Sequence, residues 1–130
     1  MNQIYFKTIP HEQHRYETVG DYWIDPAKVW QFRVSEMANP DYEFLVLVHE
    51  LVEWYLTQKR RIHTDAIDYF DVSFEKLREL NPELIGDMEP GHMSSAPYHK
   101  EHVFAEKIER LIAEELGVTW SRYDKAVGDL

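Results

Sequence analysis

The fold of this chain is decided by residues 39–61, which read NPDYEFLVLVHELVEWYLTQKRR. Asn39 is a residue type that caps helices, and Pro40 suits the first helical position. The stretch ends in Lys59 and two arginines, the charge sign that favours the end of a helix where backbone carbonyls are unpaired. The sequence therefore predicts a helix from residue 40 to about Lys59.

This helix carries the segment His49-Glu50-Leu51-Val52-Glu53. Positions four apart on a helix differ by only about 40° around the axis, so His49 and Glu53 project from the same face. Their helix neighbours are mostly apolar, and an unpaired carboxylate buried there would be costly. A cation bound by both side chains would remove that cost. We interpret His49 and Glu53 as half of a divalent metal site, with zinc as the expected ion because it accepts imidazole nitrogen and carboxylate oxygen.

Glu50 occupies a different position around the same helix, about 100° from His49. It would therefore flank an ion rather than complete a pair of ligands. In the zinc peptidase pattern His-Glu-x-x-His, the intervening glutamate takes the proton from metal-bound water. In this chain Glu53 stands where the second histidine of that pattern would be, which permits metal binding but weakens the inference of peptidase activity. Glu50 is the candidate catalytic base.

A third ligand is expected from residues 99–106, which read HKEHVFAE. His102 is the first choice, because two imidazoles and one carboxylate form a ligand set of catalytic zinc sites. Glu101 is its rival, since its helix neighbours are more apolar. Glu106 could orient His102 or act as a further ligand, and His99 is a weaker option on the same face. If Glu101 and Glu106 both joined, we would expect two ions about 3.5–4 Å apart.

A rival interpretation needs no metal. His-Glu-x-x-Glu is a loose pattern that many acidic helices contain, and His49 could be a buried histidine satisfied by Glu53. On the later helix, Phe104 and Leu111 would face the core, and His102 lies nearly opposite them. This interpretation places four polar residues in solvent: His99, His102, Glu106 and Glu109.

Weaker candidates lie elsewhere in the chain. His92 falls in a segment predicted to be a loop, and loops often supply site residues. Asp68 and Asp71 could orient metal ligands, although an exposed helix face is the simpler explanation of both. The remaining histidines have polar neighbours and are predicted at the surface: His11, His14 and His63.

The residues before the long helix predict strands. Apolar and polar residues alternate from 30 to 35, which is the period of a half-buried strand, and residues 22–24 favour another. Residues 25–28 read DPAK, which has the turn chemistry of a hairpin. A third strand is predicted near residues 4–9. We therefore expect a small antiparallel sheet of two or three strands.

The residues after the long helix predict further helices. Helical periodicity covers residues 64–80 and 98–116, with Gly117 placed to end the second, and a short helix is predicted over 120–127. Residues 81–97 contain three prolines and two glycines and are predicted to be a long loop next to the site. Together these elements predict an α+β fold, a sheet packed on three or four helices in a single domain of 130 residues. Three tryptophans are expected in the core: Trp23, Trp30 and Trp54.

The composition excludes several functional classes. The chain has no cysteine, so thiolate zinc sites, disulfides and cysteine nucleophiles are ruled out. With 24 acidic and 14 basic side chains its net charge is −10, which repels phosphate backbones and anionic lipid. We therefore expect neither a nucleic acid nor a membrane partner. No stretch has the pattern of a signal peptide or a membrane span, and a cytoplasmic protein is expected.

Four sequence blocks resemble a family of short phage and prophage proteins. The blocks are YEFLV at 42–46, HELVE at 49–53, EPG at 89–91 and APYHKEH at 96–102. The resemblance extends from about residue 16 to residue 123 and implies location in a host cytoplasm, but that family has no assigned function. The order of strands, His-Glu helix, loop and second ligand helix also resembles a minimal zincin.

These observations give two expected functions. The first is metal-dependent hydrolysis of an amide or similar bond, in which Glu50 activates metal-bound water and the 81–97 loop shapes substrate access. The second is a non-catalytic protein in which a metal ion, or a His-Glu hydrogen-bond network, ties two helices together while partner binding supplies the function. A closed shell of four ligands would favour the second.

Overall fold

The sheet has three strands in a computed structural model that describes residues 3–130. The strands are β1 (Ile4–Ile9), β2 (Gly20–Ile24) and β3 (Trp30–Ser35), and their order across the sheet is β1-β3-β2. After β3 the described residues form five α-helices, which are α1 Pro40–Lys59, α2 Thr64–Leu80, α3 Pro82–Ile85, α4 His99–Leu116 and α5 Trp120–Gly128. The predicted α+β class is confirmed.

The sheet is mixed, which differs from the antiparallel sheet predicted from the sequence. β2 pairs antiparallel with β3, and the Asp25 carboxylate closes their turn by accepting hydrogen bonds from the backbone N–H of Ala27 and Val29. β1 instead pairs parallel with β3. β3 lies between the two earlier strands, so β1 and β2 occupy opposite edges of the sheet. The segment that joins β1 to β2 therefore crosses from one edge to the other. Alternation of apolar residues identifies strands but carries no information on this order.

The aromatic core lies between the sheet and α1. Trp54 of α1 packs its ring edge against Phe32 and Trp30 of β3, with centroid distances of 5.4 and 5.5 Å. The prediction of a core position is confirmed for Trp30 and Trp54. It is wrong for Trp23, which is only half-buried. Trp23 follows the buried Tyr22 and therefore projects from the opposite face of the sheet, beneath the guanidinium groups of two arginines.

Helix α1 begins as the sequence predicts and packs along α4. The Asn39 side chain accepts hydrogen bonds from the backbone N–H of Asp41 and Tyr42, so Asn39 is the N-cap. The buried face of α1 includes Leu45, His49 and Glu53. The polar face that carries the candidate ligands therefore points into the protein.

The buried face of α4 is the opposite of the one that the metal-free interpretation predicted. Phe104 and Leu111 are 47% and 63% exposed. The residues that α4 buries are polar or small: Glu101, His102, Ala105, Glu109 and Ala113. The two alanines let α4 approach α1 closely, so that the polar side chains meet across the interface.

The segment predicted as a loop, residues 81–97, is partly ordered into short elements. It contains α3 and a single 3₁₀ turn, Pro90–His92. Within residues 3–130, no helix is both long and apolar enough to cross a bilayer.

Candidate metal centre

Three buried side chains meet between α1 and α4, and each directs one potential ligand atom to a common point. His49 Nε2 lies 3.2 Å from Glu53 Oε2 and 3.1 Å from His102 Nδ1. His102 Nδ1 lies 3.0 Å from the same Glu53 oxygen. We call these three residues the inner triangle. The three ligands predicted first from the sequence are thus brought together, and each residue is only 5–7% exposed.

The dimensions of the inner triangle match the ligand spacing around a small divalent ion. Four tetrahedral ligands at about 2.0–2.1 Å from an ion lie about 3.3 Å from one another, and six octahedral ligands at that distance have neighbours about 2.9 Å away. The observed edges of 3.0–3.2 Å fall between these spacings. Two imidazoles and one carboxylate suit zinc and several transition metals. The residues of the inner triangle could therefore hold a metal ion.

His49 is oriented from behind by a second carboxylate. Its Nδ1 donates to Glu109 Oε1 at 2.7 Å, and the hydroxyl of Tyr123 in α5 donates to the other oxygen of Glu109. Burial alone would lower the pKa of His49, but its hydrogen bonds to Glu109 and Glu53 raise it well above the usual value. A carboxylate behind a metal-binding histidine fixes the ring and its tautomer. His49 therefore presents Nε2 to the inner triangle.

Glu53 is held as a carboxylate. Burial would raise its pKa, but hydrogen bonds from His102 and His49 lower it to about 2. Its second oxygen, Oε1, accepts a hydrogen bond from the hydroxyl of Tyr22 in β2 at 3.0 Å. Both carboxylate oxygens of Glu53 are therefore fixed, with Oε2 facing the two imidazoles.

His102 faces the inner triangle through Nδ1 and the 81–97 segment through Nε2. Burial would lower its pKa, but the carboxylates of Glu53 and Glu89 raise it to about 9. Since a metal ligand must give up its proton, metal binding here competes with protons and weakens as the pH falls.

Glu50 lies beside the inner triangle on the wall of an open cleft of about 750 Å³, which the inner triangle also lines. Its carboxyl group packs against the backbone of Gly20, where a Cβ atom would be only 2.6 Å from Glu50 Oε1. Within residues 3–130 no hydrogen bond holds this carboxyl group. Burial first, and then the charge of Glu53, raise the pKa of Glu50 well above its usual value. A bound cation would oppose that shift, because it favours the charged form.

The less certain ligand candidates lie outside the inner triangle. Glu101 is buried as its sequence neighbours suggest, but it pairs with Arg60 at the end of α1. Glu106 contacts His92 Nε2 at 3.2 Å, and His99 Nδ1 donates to the backbone carbonyl of Gly91. Among the described residues, Glu101 and Glu106 therefore do not come together as the two-metal carboxylate site would require, because their carboxyl groups contact Arg60 and His92.

The other polar candidates are also engaged away from the inner triangle. Asp68 pairs with Arg15, and Asp71 is buried beneath two tyrosine hydroxyls. The surface prediction for His11 and His14 is wrong, since both are half-buried and contact the Ser35 hydroxyl at 2.8 and 2.9 Å. His63 is exposed as predicted and caps α2.

Four residues that surround the inner triangle are not among the ligands or partners predicted from the sequence. Glu109 was assigned to solvent in the rival interpretation, although its position seven residues after His102 places it on the same helix face. The others have no local signal, because they come from β2, α5 and a loop that tertiary packing alone brings to the site. They are Tyr22, Tyr123 and Glu89.

The structure thus contains buried His and Glu groups that could hold a metal ion, and each of them contacts a residue outside the inner triangle. They lie at the wall of a cleft wide enough to admit a ligand. Comparisons of this chain with protein-family models, with curated proteins and with solved structures found no match.

Proposed function

We propose that this protein is a metal-dependent hydrolase whose ion, of the zinc type, is held by His49, Glu53 and His102. The observation that carries the proposal is the convergence of their three ligand atoms within 3.0–3.2 Å of one another beside an open cleft. Three protein ligands with access to a cleft leave coordination positions for water and substrate, which is the arrangement of catalytic sites. A divalent ion bound there would supply a water of lowered pKa and would polarise a substrate carbonyl.

Glu50 is the residue we propose as general base. Its carboxyl group is next to the inner triangle, free of hydrogen bonds within residues 3–130, and lies on the cleft wall. A raised carboxyl pKa suits a base that must accept a proton near neutral pH and return it to a leaving group. In hydrolysis Glu50 would take one proton of the attacking water, and that proton would pass to the departing amine or alcohol.

The position of the 81–97 segment on the cleft wall supports the proposal that it controls substrate access. Gly86, Asp87, Glu89 and Gly91 of this segment line the same cleft as the inner triangle. Because the segment is pinned against α4 by side chains of that helix, it forms one wall of the cleft next to His102. A substrate would bind between this wall and β2.

Elemental analysis tests whether the inner triangle binds metal. Protein purified without added metal should contain zinc or another divalent ion in a stoichiometric amount, and Glu53→Gln should lose it. Glu115→Gln, exposed near the end of α4, is the matched control and should retain the ion. Absence of stoichiometric metal from the wild type, even after incubation with zinc, would remove the basis of the proposal.

The catalytic step is tested separately with Glu50→Gln. Chromogenic esters and a panel of fluorogenic peptides serve as probes, because they contain the ester and amide bonds that such a site would hydrolyse. We expect Glu50→Gln to retain metal and to lose hydrolytic turnover by about 10²- to 10⁴-fold, the usual contribution of a general base. Turnover that is unchanged in this variant would exclude Glu50 as the base.

A second candidate function is non-catalytic, and one observation favours it. His49 and His102 can both donate hydrogen bonds to the Glu53 carboxylate, so the same residues could hold α1 against α4 without an ion. In that case function would lie in partner binding, and the resemblance to phage and prophage proteins supplies a context for it. Chelator-treated protein would then keep the stability of untreated protein, and no probe would be hydrolysed.

A further inference from the structure

His102 faces potential ligands through both of its ring nitrogens. Nδ1 belongs to the inner triangle, while Nε2 lies 3.0 Å from Glu89 Oε2. The ring of His92 stands edge-on to the His102 ring, with centroids 4.8 Å apart. We propose that Glu89, His92 and His102 bind a second divalent cation, and that the His102 imidazole bridges it to the ion of the inner triangle.

The geometry at His102 Nε2 favours a cation over a simple ion pair. This nitrogen is buried, and within residues 3–130 it has no hydrogen-bond partner, because Glu89 Oε2 lies off the direction of an N–H bond despite its distance of 3.0 Å. A hydrogen bond requires the N–H group to point at the acceptor. Around a metal ion, by contrast, the nitrogen lone pair points at the ion and the neighbouring ligand lies to one side, about 3 Å away.

The backbone of the 81–97 segment holds the two outer ligands against the ring. A Cβ atom at Gly91 would lie 2.3 Å from the His102 ring, so only glycine allows this approach. The carbonyl of Gly91 accepts a hydrogen bond from His99 Nδ1 at 2.9 Å. The 3₁₀ turn at Gly91 thus places Glu89 and His92 on either side of it, and their positions are fixed by packing as well as by charge.

The charges around this outer group suit a cation. Glu89 is a carboxylate at the cleft rim, and Glu106 lies 3.2 Å from His92 Nε2, where it would compensate positive charge. Imidazole nitrogen is a good ligand for zinc and copper. When the second ion binds, His102 releases its Nε2 proton to solvent and becomes an imidazolate, so one negative charge is added between two doubly charged cations.

This inference rests on the proposed function in one respect, since His102 must bind the inner ion through Nδ1. It adds to that function a second cation site at the mouth of the cleft. The two ions would be separated by the width of an imidazole ring, about 6 Å, which is more than the spacing of carboxylate-bridged pairs.

Zinc stoichiometry tests the second site. Chelator-stripped protein is dialysed against saturating zinc and analysed for bound metal, with circular dichroism as the check on folding. We expect two ions per chain in the wild type and one in His92→Gln and in Glu89→Gln. Glu114→Gln, exposed on α4 and outside the proposed second site, is the control and should retain two ions.

Copper tests the bridge itself. Two Cu²⁺ ions joined by one imidazolate couple magnetically, so the paramagnetic resonance signal of the doubly loaded protein should be far weaker than that of two isolated ions. His92→Gln should show the full signal of a single copper. A wild type that binds two coppers without coupling would overturn the bridge.

The remaining outcomes separate this inference from the proposed function. A single zinc ion in the wild type that is lost in Glu53→Gln and unaffected by His92→Gln would overturn the second site and leave the inner one. No bound zinc at all would overturn both. Two coupled ions without hydrolysis of any probe would support the second site and contradict the hydrolase.

Discussion

At the scale of single residues, Glu109 determines how His49 faces the candidate metal centre. Its Oε1 accepts the Nδ1 proton at 2.7 Å, which leaves Nε2 to face Glu53. We expect Glu109→Gln to weaken zinc binding by about 10- to 100-fold, the usual effect of losing such an outer partner. Competition with a chromogenic chelator measures the affinity, and Glu114→Gln, exposed on the same helix, is the control. Equal affinities in the two variants would show that His49 needs no support from Glu109.

Gly20 has a comparable effect on Glu50. A Cβ atom at Gly20 would meet Glu50 Oε1 and Cγ at 2.6 and 2.7 Å, so Gly20→Ala should displace the carboxyl group and leave the inner triangle in place. We expect turnover of the zinc-loaded protein to fall by about tenfold or more, because general base catalysis depends on position. Gly128→Ala is the control, since its Cβ would meet nothing within 4 Å. Loss of zinc together with activity would show that the substitution disturbs the inner triangle as well as Glu50.

Helix geometry alone identifies the pair of His49 and Glu53. His49 and Glu53 share a face whatever the tertiary structure, because their relation depends only on spacing. On α4 the same spacing fits two faces, one with His102 and Glu109 and one with Phe104 and Leu111. Apolar residues are ordinarily the better indication of a buried face. They mislead here because α4 buries a polar site against α1.

At the scale of secondary-structure elements, α2 is held in place by a buried carboxyl group. Asp71 accepts hydrogen bonds from the hydroxyl of Tyr98, just before α4, and from that of Tyr16 at 3.2 Å. Burial raises the pKa of Asp71 to about 7, against the opposing effect of the Tyr98 hydrogen bond and with the added effect of the Glu53 charge. The folded protein therefore binds this proton more tightly than the unfolded chain does.

This shift predicts how the stability of the metal-free protein depends on pH. The stabilising contribution of Asp71 is fully present below the unfolded pKa of about 3.9 and is lost as the pH rises towards about 7. Relative to Asp71→Asn, the wild type should therefore lose roughly 1–3 kcal/mol between pH 5 and pH 8. Urea unfolding of chelator-treated protein at both values measures the difference, with Asp65→Asn, exposed in the first turn of α2, as control. Parallel pH profiles of wild type and Asp71→Asn would contradict the prediction.

Element boundaries were more predictable than element pairing. The caps of α1 and the hairpin turn depend on residues close in sequence, and both form as expected. The parallel pairing of β1 with β3 depends on which strand occupies the centre of the sheet. The central strand packs Trp30 and Phe32 against Trp54 of α1, a long-range contact that the residues of one strand do not predict.

At the scale of the whole molecule, the candidate metal centre joins four elements. The inner triangle links α1 to α4, Tyr22 connects it to β2, and Tyr123 connects it through Glu109 to α5. An ion held at this centre would require these elements to be docked together, so it would bind the folded chain and not the unfolded one. Its binding free energy would then add to the free energy of unfolding.

This coupling predicts that zinc raises the melting temperature. At a zinc concentration 100 times the dissociation constant, the stabilisation is about 2.7 kcal/mol, which for a chain of this length corresponds to about 10 °C. Thermal unfolding followed by circular dichroism, with zinc and with chelator, measures the shift, and Glu53→Gln should show none. An equal shift in that variant would mean that the ion binds outside the inner triangle. Since the ligands come from two helices that both pack into the core, we also expect one transition that moves as a whole. An early partial transition in chelator would instead indicate that α4 detaches while α1 and the sheet stay folded.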